Sequence, residues 1–243
     1  MSSGYRDDLA HVHDAGFGGL SRAAAWHLLG ELRRHRIAEG TVVDLGCGSG
    51  LLCAELAAAG FDTVGFDLSE SMVELARRRV PGGRFEVASV RAAKLPACVA
   101  AAAVGEVFNY LFDGGGGLAG LERLFRRIHR ALEPGGLFLL DLAGPGNVRG
   151  RGARRVHAEG EGWAVLATVE EDRARRRLTR HITTFRRSGR TWRRDHEVHR
   201  LALFPRAEVA ARLRAAGFRV RPLPGYGPTR FPPGLAGFLA RKP

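Results

Sequence analysis

Residues 41–59 constrain this chain more than any other stretch. Thr41-Val42-Val43-Asp44-Leu45 is an apolar β-branched run, Gly46-Cys47-Gly48-Ser49-Gly50 follows at once, and Leu51 to Ala59 reads as a helix closed by Gly60. A strand that stops on glycines and turns straight into a helix is the opening of a βαβ unit. Glycines there let backbone approach a ligand closely, and free N–H groups at the helix start favour a phosphate or carboxylate. Dinucleotide-binding turns read G-x-G-x-x-G, whereas this one reads G-x-G-x-G with an acid two residues ahead.

The same alternation continues. A helix is expected over Leu20–Arg36, a second strand over Thr63–Phe66 ending at Asp67, and Ser69 is placed to cap a helix over Ser71–Arg79. Arg84–Ala88 and Val99–Val104 read as the third and fourth strands. Leu118, Leu121, Leu124, Phe125, Ile128 and Leu132 form one helical stripe, and after the turn Glu133-Pro134-Gly135-Gly136 a fifth strand runs over Leu137–Leu142. Strands alternating with helices predict an α/β fold, with a parallel sheet covered on both faces.

Between Gly144 and Phe204 the pattern changes to three strand-like stretches, Trp163–Val169, Arg177–Arg187 and Thr191–Phe204, read as an antiparallel insertion. A helix over Pro205–Ala216 and strands over Val220–Leu223 and Ala236–Ala240 complete the sheet. Period-two alternation puts Arg193, Asp195, Glu197 and His199 on one face with Leu201 and Leu203. Polar groups sharing a face with leucines suggest a lined cavity, which makes Glu197 and His199 candidate substrate contacts; a solvated face with cross-strand ion pairs is the alternative.

The formal net charge is +13, yet residues 1–150 carry −1 and residues 151–243 carry +14. The charge therefore belongs to the last third, where it points to an acidic or phosphate-bearing partner, or to RNA. Arg in place of Lys fits a GC-rich codon bias, but that bias does not explain the asymmetry. No run approaches the ~20 apolar residues of a membrane span. The first ten residues lack a signal-peptide core, and Cys47, Cys53 and Cys98 form no CxxC pair, so a cytoplasmic protein is expected. His196 and His199 point to opposite faces of a strand, which argues against a shared metal ion.

Asp44, the three glycines, Asp67, the Glu-Pro-Gly-Gly turn and the closing Gly217-Phe218 together resemble the class I S-adenosylmethionine-dependent methyltransferases. The resemblance implies a Rossmann-like seven-stranded sheet and S-adenosylmethionine as cofactor. It implies that Gly46, Cys47, Gly48, Ser49 and Gly50 cradle the methionine part, with Asp44 steering its ammonium. Asp67 would hold the ribose, Leu68 and Met72 would flank the adenine, and Val90, Val104 and Gly105 would complete the wall. Where the family places an acid for the adenine amino group, this chain has Ser89. A narrower resemblance, to small-molecule N-methyltransferases acting on amino sugars and glycine, rests on Ala10-His11-Val12-His13-Asp14, on Gly105-Glu106-Val107-Phe108-Asn109-Tyr110, and on His196–Phe204. His13 stands where that group more often has Tyr.

On this reading the chain divides into an N-terminal helical cap (1–40), a cofactor-binding core (41–143), a β insertion roofing the substrate (144–204), and the last helix and strands (205–243). Methyl transfer needs alignment, desolvation and, for some acceptors, a base. Glu106 and Tyr110, after the fourth strand, are the first candidate bases and His13 the next, with Asn109 as a candidate substrate contact. Tyr5, Phe17 and Tyr110 offer π-faces to a cation. The leading expectation is transfer to an N or O atom of a small molecule. The alternatives are an RNA methyltransferase, although no Asn-Pro-Pro-Tyr base-flipping motif follows the fourth strand, and a non-catalytic cofactor-binding protein.

Overall fold

The computed structural model describes residues 4–114, 117–148 and 152–243. Residues 1–3 of the expected cap and 149–151 of the expected insertion lie outside them. Two helices lead, α1 (Asp7–Gly16) and α2 (Gly19–Arg34), followed by β1 (Thr41–Leu45), α3 (Leu51–Ala58), β2 (Asp62–Asp67), α4 (Glu70–Arg79), β3 (Arg84–Val87) and β4 (Cys98–Ala103). A 3-10 turn over Val107–Asn109 leads towards α5 (Gly117–Ala131) and β5 (Leu132–Ala143). Next come β6 (Ala153–Gly160), β7 (Trp163–Asp172), β8 (Arg177–Ser188), β9 (Thr191–Ala202) and α6 (Arg206–Ala215). The chain closes with β10 (Arg219–Leu223), a two-stranded ribbon β11 (Gly225–Tyr226) and β12 (Thr229–Arg230), and β13 (Leu235–Arg241).

Seven strands form one sheet in the order β10-β13-β5-β4-β1-β2-β3. The pairs among β1 to β5 are parallel, and β13 runs antiparallel to both β5 and β10. Each face of the sheet has its own apolar core. Leu121, Leu124, Phe125 and Ile128 of α5 join Val209 and Leu213 of α6 on one side, and Leu28 and Leu32 of α2 join Leu52 and Leu56 of α3 on the other. From β1 the chain passes to β2 on one side, while β4 lies on the other, so the ends of β1 and β4 border the switch-point crevice where ligands bind in such sheets.

The insertion has four antiparallel strands, not three. β6 escaped notice because Ala-Arg-Arg-Val-His-Ala-Glu-Gly is exposed along nearly its whole length, which removes the apolar alternation that marks a half-buried strand. The Glu-Pro-Gly-Gly turn is a bulge within β5: Cys98 pairs with Leu132 but Ala100 pairs with Leu137, so residues 133–136 loop out of register. Helix α1 lays Leu9 and Val12 against Trp163, Val165 and Ile182, pinning the N-terminal segment to the insertion. Tyr110 bridges Leu201 and the Leu111 amide donates to the Arg200 carbonyl, which joins the β4–α5 connection to β9.

Candidate active site

A cavity opens over the ends of β1, β2 and β4. Its walls include Gly46, Cys47, Gly48, Ser49, Asp67, Leu68, Met72, Val90, Val104 and Gly105, together with the rings of Tyr5, His13, Phe17, Tyr110 and Phe112. The space between these walls, open mouth included, is about 1040 Å³. Gly48 has a φ of +51° and its missing Cβ would meet nothing nearer than the Met72 sulfur at 3.9 Å, so the ligand space begins at the backbone itself. Asp67 closes β2 with one carboxylate oxygen accepting from the Gly48 amide and the other from the Ser69 amide, both at 2.9 Å. Burial pushes its pKa up while these N–H groups hold it back, and each oxygen keeps a lone pair for a ribose hydroxyl. These residues fit S-adenosylmethionine: a glycine floor, a carboxylate with lone pairs free for a diol, and apolar walls at Leu68, Met72 and Val90.

Three residues expected to hold the cofactor do not line this cavity. Asp44 is buried beneath it, where the Cys53 thiol donates to its carboxyl at 3.6 Å and burial pushes its pKa up to about 7. Gly50 packs on α4, where a Cβ would stand 3.0 Å from the Ala76 Cα, so it serves helix approach rather than ligand contact. The Ser89 hydroxyl is directed to the Asp113 carboxylate.

Asn109, expected to meet substrate, is a fully buried staple. Its amide donates to the carbonyls of Ala143 (2.8 Å) and Ala202 (2.6 Å), and its oxygen accepts from the Ala143 amide at 2.9 Å. That leaves no donor for a ligand. Glu197 and His199 sit together on the face that alternation assigned to them, but behind the cavity wall. Glu197 accepts from the Tyr5 amide (2.8 Å), the Arg6 amide (2.9 Å) and the His199 ring (3.0 Å). The His199 ring lies within 5.0 Å of Tyr5 and Phe112 and 5.7 Å of Tyr110, centroid to centroid.

Tyr110 and His13 do line the cavity. The Tyr5 and Tyr110 hydroxyls share a 2.9 Å hydrogen bond, and burial raises the pKa of both phenols. Burial lowers His13 to about 4, so its ring is neutral at physiological pH. Glu106 faces a second cavity beside the first. There its carboxylate meets Arg180 at 2.6 Å, and the walls include Arg154, Arg180, Arg230 and Asn147. The two cavities share Leu20 and Gly105. Gly105 and Glu106 both have positive φ, +89° and +61°, a strained turn for a glutamate. The Asp141 carboxylate holds it by accepting from the Gly105 amide (3.0 Å), the Glu106 amide (2.7 Å) and the Tyr226 hydroxyl (2.8 Å). Asp141 was legible as the only charge inside Leu137–Ala143. Nothing in the sequence separates Arg180 from the other arginines.

Helix α1 is fastened across the cofactor loop. Asp14 accepts from the Ser49 hydroxyl at 2.6 Å and from Arg79 at 3.0 Å, while the Ser69 hydroxyl donates to the Tyr5 carbonyl at 2.7 Å. Among the described residues no group of three or more His, Cys, Asp or Glu gathers to hold a metal, and no helix is long and apolar enough to cross a membrane.

The comparisons with known proteins agree with this geometry. A methyltransferase-domain family matches residues 42–136. The dTDP-3-amino-3,4,6-trideoxy-alpha-D-glucopyranose N,N-dimethyltransferase of Streptomyces venezuelae is 30% identical over 238 residues, covering 93% of this chain and 95% of that one. The dTDP-4-amino-2,3,4,6-tetradeoxy-D-glucose N,N-dimethyltransferase of Saccharopolyspora spinosa is 28% identical over 242 residues, covering 92% and 90%. Among solved structures, S-adenosylmethionine-bound CalS10, an amino pentose methyltransferase from Micromonospora echinaspora, superposes with a TM-score of 0.77 at 21% identity over 100% of both chains. A glycine-floored cavity at the switch point, on a sheet shared with such proteins, leaves one family: the chain is a class I S-adenosylmethionine-dependent methyltransferase, related to the amino-sugar N-methyltransferases.

Proposed function

We propose that the protein methylates a nitrogen of a small acceptor that also carries an anionic group such as a phosphate, with the insertion as the roof of the acceptor site. The observation that carries this reading is the second cavity, where Arg154, Arg180 and Arg230 converge beside the cofactor cavity. Three guanidiniums against one carboxylate leave net positive charge, and guanidinium forks match phosphate oxygens. The two dTDP-amino-sugar N,N-dimethyltransferases support the nitrogen and the phosphate together.

When bound, S-adenosylmethionine supplies a methyl group on a sulfonium centre for in-line attack. The chain's own residues then have three tasks. The rings of Tyr5, Phe17, Tyr110 and Phe112 line the cavity and exclude water from it, which favours the neutral, nucleophilic form of an amine. Tyr110 and the neutral His13 accept N–H hydrogen bonds from the acceptor and fix its lone pair; a histidine of pKa about 4 is too weak a base to take the proton outright. Arg180 anchors the anion while its reach to the Tyr110 hydroxyl, 3.5 Å, keeps anchor and nitrogen site in one register.

The test is turnover of a nucleoside-diphosphate amino sugar against the same amino sugar without the nucleotide. The expected result is a kcat/KM at least about a hundredfold higher for the phosphate-bearing acceptor. Equal values, or turnover only of hydroxyl acceptors, overturn the proposal.

A further inference from the structure

The two cavities meet on one turn. Gly105 and Leu20 line both, and a Cβ on Gly105 would have no protein atom within 4 Å, so no side chain fills the space over that residue. Under the proposed function, an acceptor with its nitrogen beside Tyr110 and its anion beside Arg180 passes over this saddle. The saddle is not a relaxed turn. Gly105 and Glu106 follow one another with φ of +89° and +61°, and a glutamate leaves that left-handed form unless something holds it.

Asp141, wholly buried in β5, is what holds it. The Gly105 amide donates to both of its oxygens, at 3.0 and 3.1 Å, the Glu106 amide to one at 2.7 Å and the Tyr226 hydroxyl to the other at 2.8 Å. Burial pushes its pKa up to about 6, and these donors keep it from rising further, so it is ionised at neutral pH. A strand core tolerates a carboxylate only where such hydrogen bonds offset its desolvation. Tyr226 is wholly buried too, edge-on to Phe231 at 4.9 Å. It stands on β11, and the paired strand β12 brings Arg230 to the second cavity, so one ribbon carries both an anion anchor and a brace under the saddle.

We infer that Asp141, steadied by Tyr226, is a positioning residue for methyl transfer: it keeps the Gly105–Glu106 turn left-handed, so that one acceptor lies across Gly105 with its anion in the second cavity and its nitrogen in the first. Asp141 lines neither cavity and acts only through the turn. Without it two buried amides lose their acceptor, the turn relaxes, and the passage between the cavities loses its shape. The role rests on the second cavity being the anion site proposed above, and adds to it the path that joins the two cavities.

The test compares ligands that fill one cavity with a substrate that needs both. Calorimetry gives dissociation constants for S-adenosylhomocysteine and for thymidine diphosphate, and steady-state kinetics gives kcat/KM for a nucleoside-diphosphate amino sugar. Asp141→Ala is expected to lower kcat/KM about a hundredfold, the cost of an acceptor misplaced by about 1 Å. Both dissociation constants should stay within about threefold of wild type, because Asp67 and the anchoring arginines are untouched. Asp141→Asn keeps a carbonyl oxygen for the two amides and should restore kcat/KM to within about fivefold of wild type. Tyr226→Phe leaves the carboxylate but frees it to turn; it should lower kcat/KM about threefold with the same pattern, and it decides the matter if Asp141→Ala does not fold. Circular dichroism establishes which variants fold. An unchanged kcat/KM in a folded variant overturns the inference, and so do equal losses for the single-cavity ligands and the spanning acceptor. If thymidine diphosphate does not bind the wild-type protein at millimolar concentration, the anion site itself falls, and the role of Asp141 with it.

Discussion

Arg180 Nη2 lies 2.6 Å from Glu106 Oε2, and the same guanidinium reaches the Tyr110 hydroxyl at 3.5 Å. Burial works against charge on Arg180, but Glu106 and then the Tyr110 phenol more than offset it, so its pKa is raised. The residue ranked first as a base from its place after β4 is therefore the counter-ion of an arginine. Glu106→Gln is expected to lower kcat by less than about tenfold, whereas removal of a true general base costs 10²–10⁴. Steady-state kinetics with a phosphate-bearing amino sugar decides it, and a loss in the larger range restores Glu106 as the base.

Asp67→Ala should abolish the thermal stabilisation given by millimolar S-adenosylhomocysteine. A ligand present at a hundred times its dissociation constant stabilises by about 2.7 kcal/mol, a shift of several degrees that differential scanning fluorimetry resolves. The variant loses the acceptor for the ribose and also frees the Gly48 amide. An unchanged shift places the cofactor elsewhere.

Asn109→Ala should cost about 2 kcal/mol of stability in the absence of any ligand, because it unpairs the buried Ala143 amide and takes a donor from the carbonyls of Ala202 and Ala143, the latter keeping the Phe204 amide. Urea denaturation measures it. A variant of normal stability that loses acceptor affinity would return Asn109 to the substrate site.

Asp44 carries a pH signature. Its pKa rises from 3.8 unfolded to about 7 folded through burial, so the native state binds more protons between those values. Its contribution to stability is therefore greatest below about pH 4, declines as pH rises towards 7, and is lost above. Asp44→Asn removes the ionisation, so its stability relative to wild type should rise between pH 5 and pH 8 by about 2 kcal/mol, taking most of a two-unit span at 1.36 kcal/mol per unit. Urea midpoints of both proteins at the two pH values test this, and a constant difference refutes it.

Glu197→Gln should loosen the entry to α1 without unfolding the sheet. The carboxylate now accepts from the Tyr5 and Arg6 amides and from His199, and a neutral amide makes weaker bonds with these donors. Hydrogen exchange at Tyr5 and Arg6 is expected to quicken about tenfold while exchange in β1 and β4 stays at its wild-type rate. Equal rates in both proteins would assign the fastening of the N-terminal segment to Asp14 and Ser49 instead.

The uneven charge of the chain found a partial explanation in the structure. Arg176, Arg186, Arg193, Arg212 and Arg221 of the basic third meet Glu208, Asp8, Glu122 and Glu31 as ion pairs, several of them with acids from the near-neutral first part. Arg194 and Arg200 are exposed, so they give no support to a charged roof, whereas Arg154, Arg180 and Arg230 do face the second cavity.

Local rules were enough for the parallel sheet and its helices. Thr41–Leu45, the glycines after it and the stripe of α5 each carry their own period or turn chemistry within a dozen residues, and the family resemblance rests on the same stretches. The face of β9 was legible too, since alternation survives in a strand that is half buried. What lay beyond reach was the pairing of polar groups across the chain. Glu106 and Arg180 are 74 positions apart, Tyr5 and Glu197 are 192 apart, and Ser89 and Asp113 are 24 apart. Whether a carboxylate faces a ligand, an arginine or a backbone amide depends on strand register and on how α1 and the insertion close over the sheet. The sequence by itself therefore determined that a cofactor-binding turn forms and on which sheet. Only the tertiary structure decided that Asn109 is a staple, that Glu106 is a counter-ion, and that Asp141 holds the turn after β4, because those roles follow from distances that no periodicity encodes.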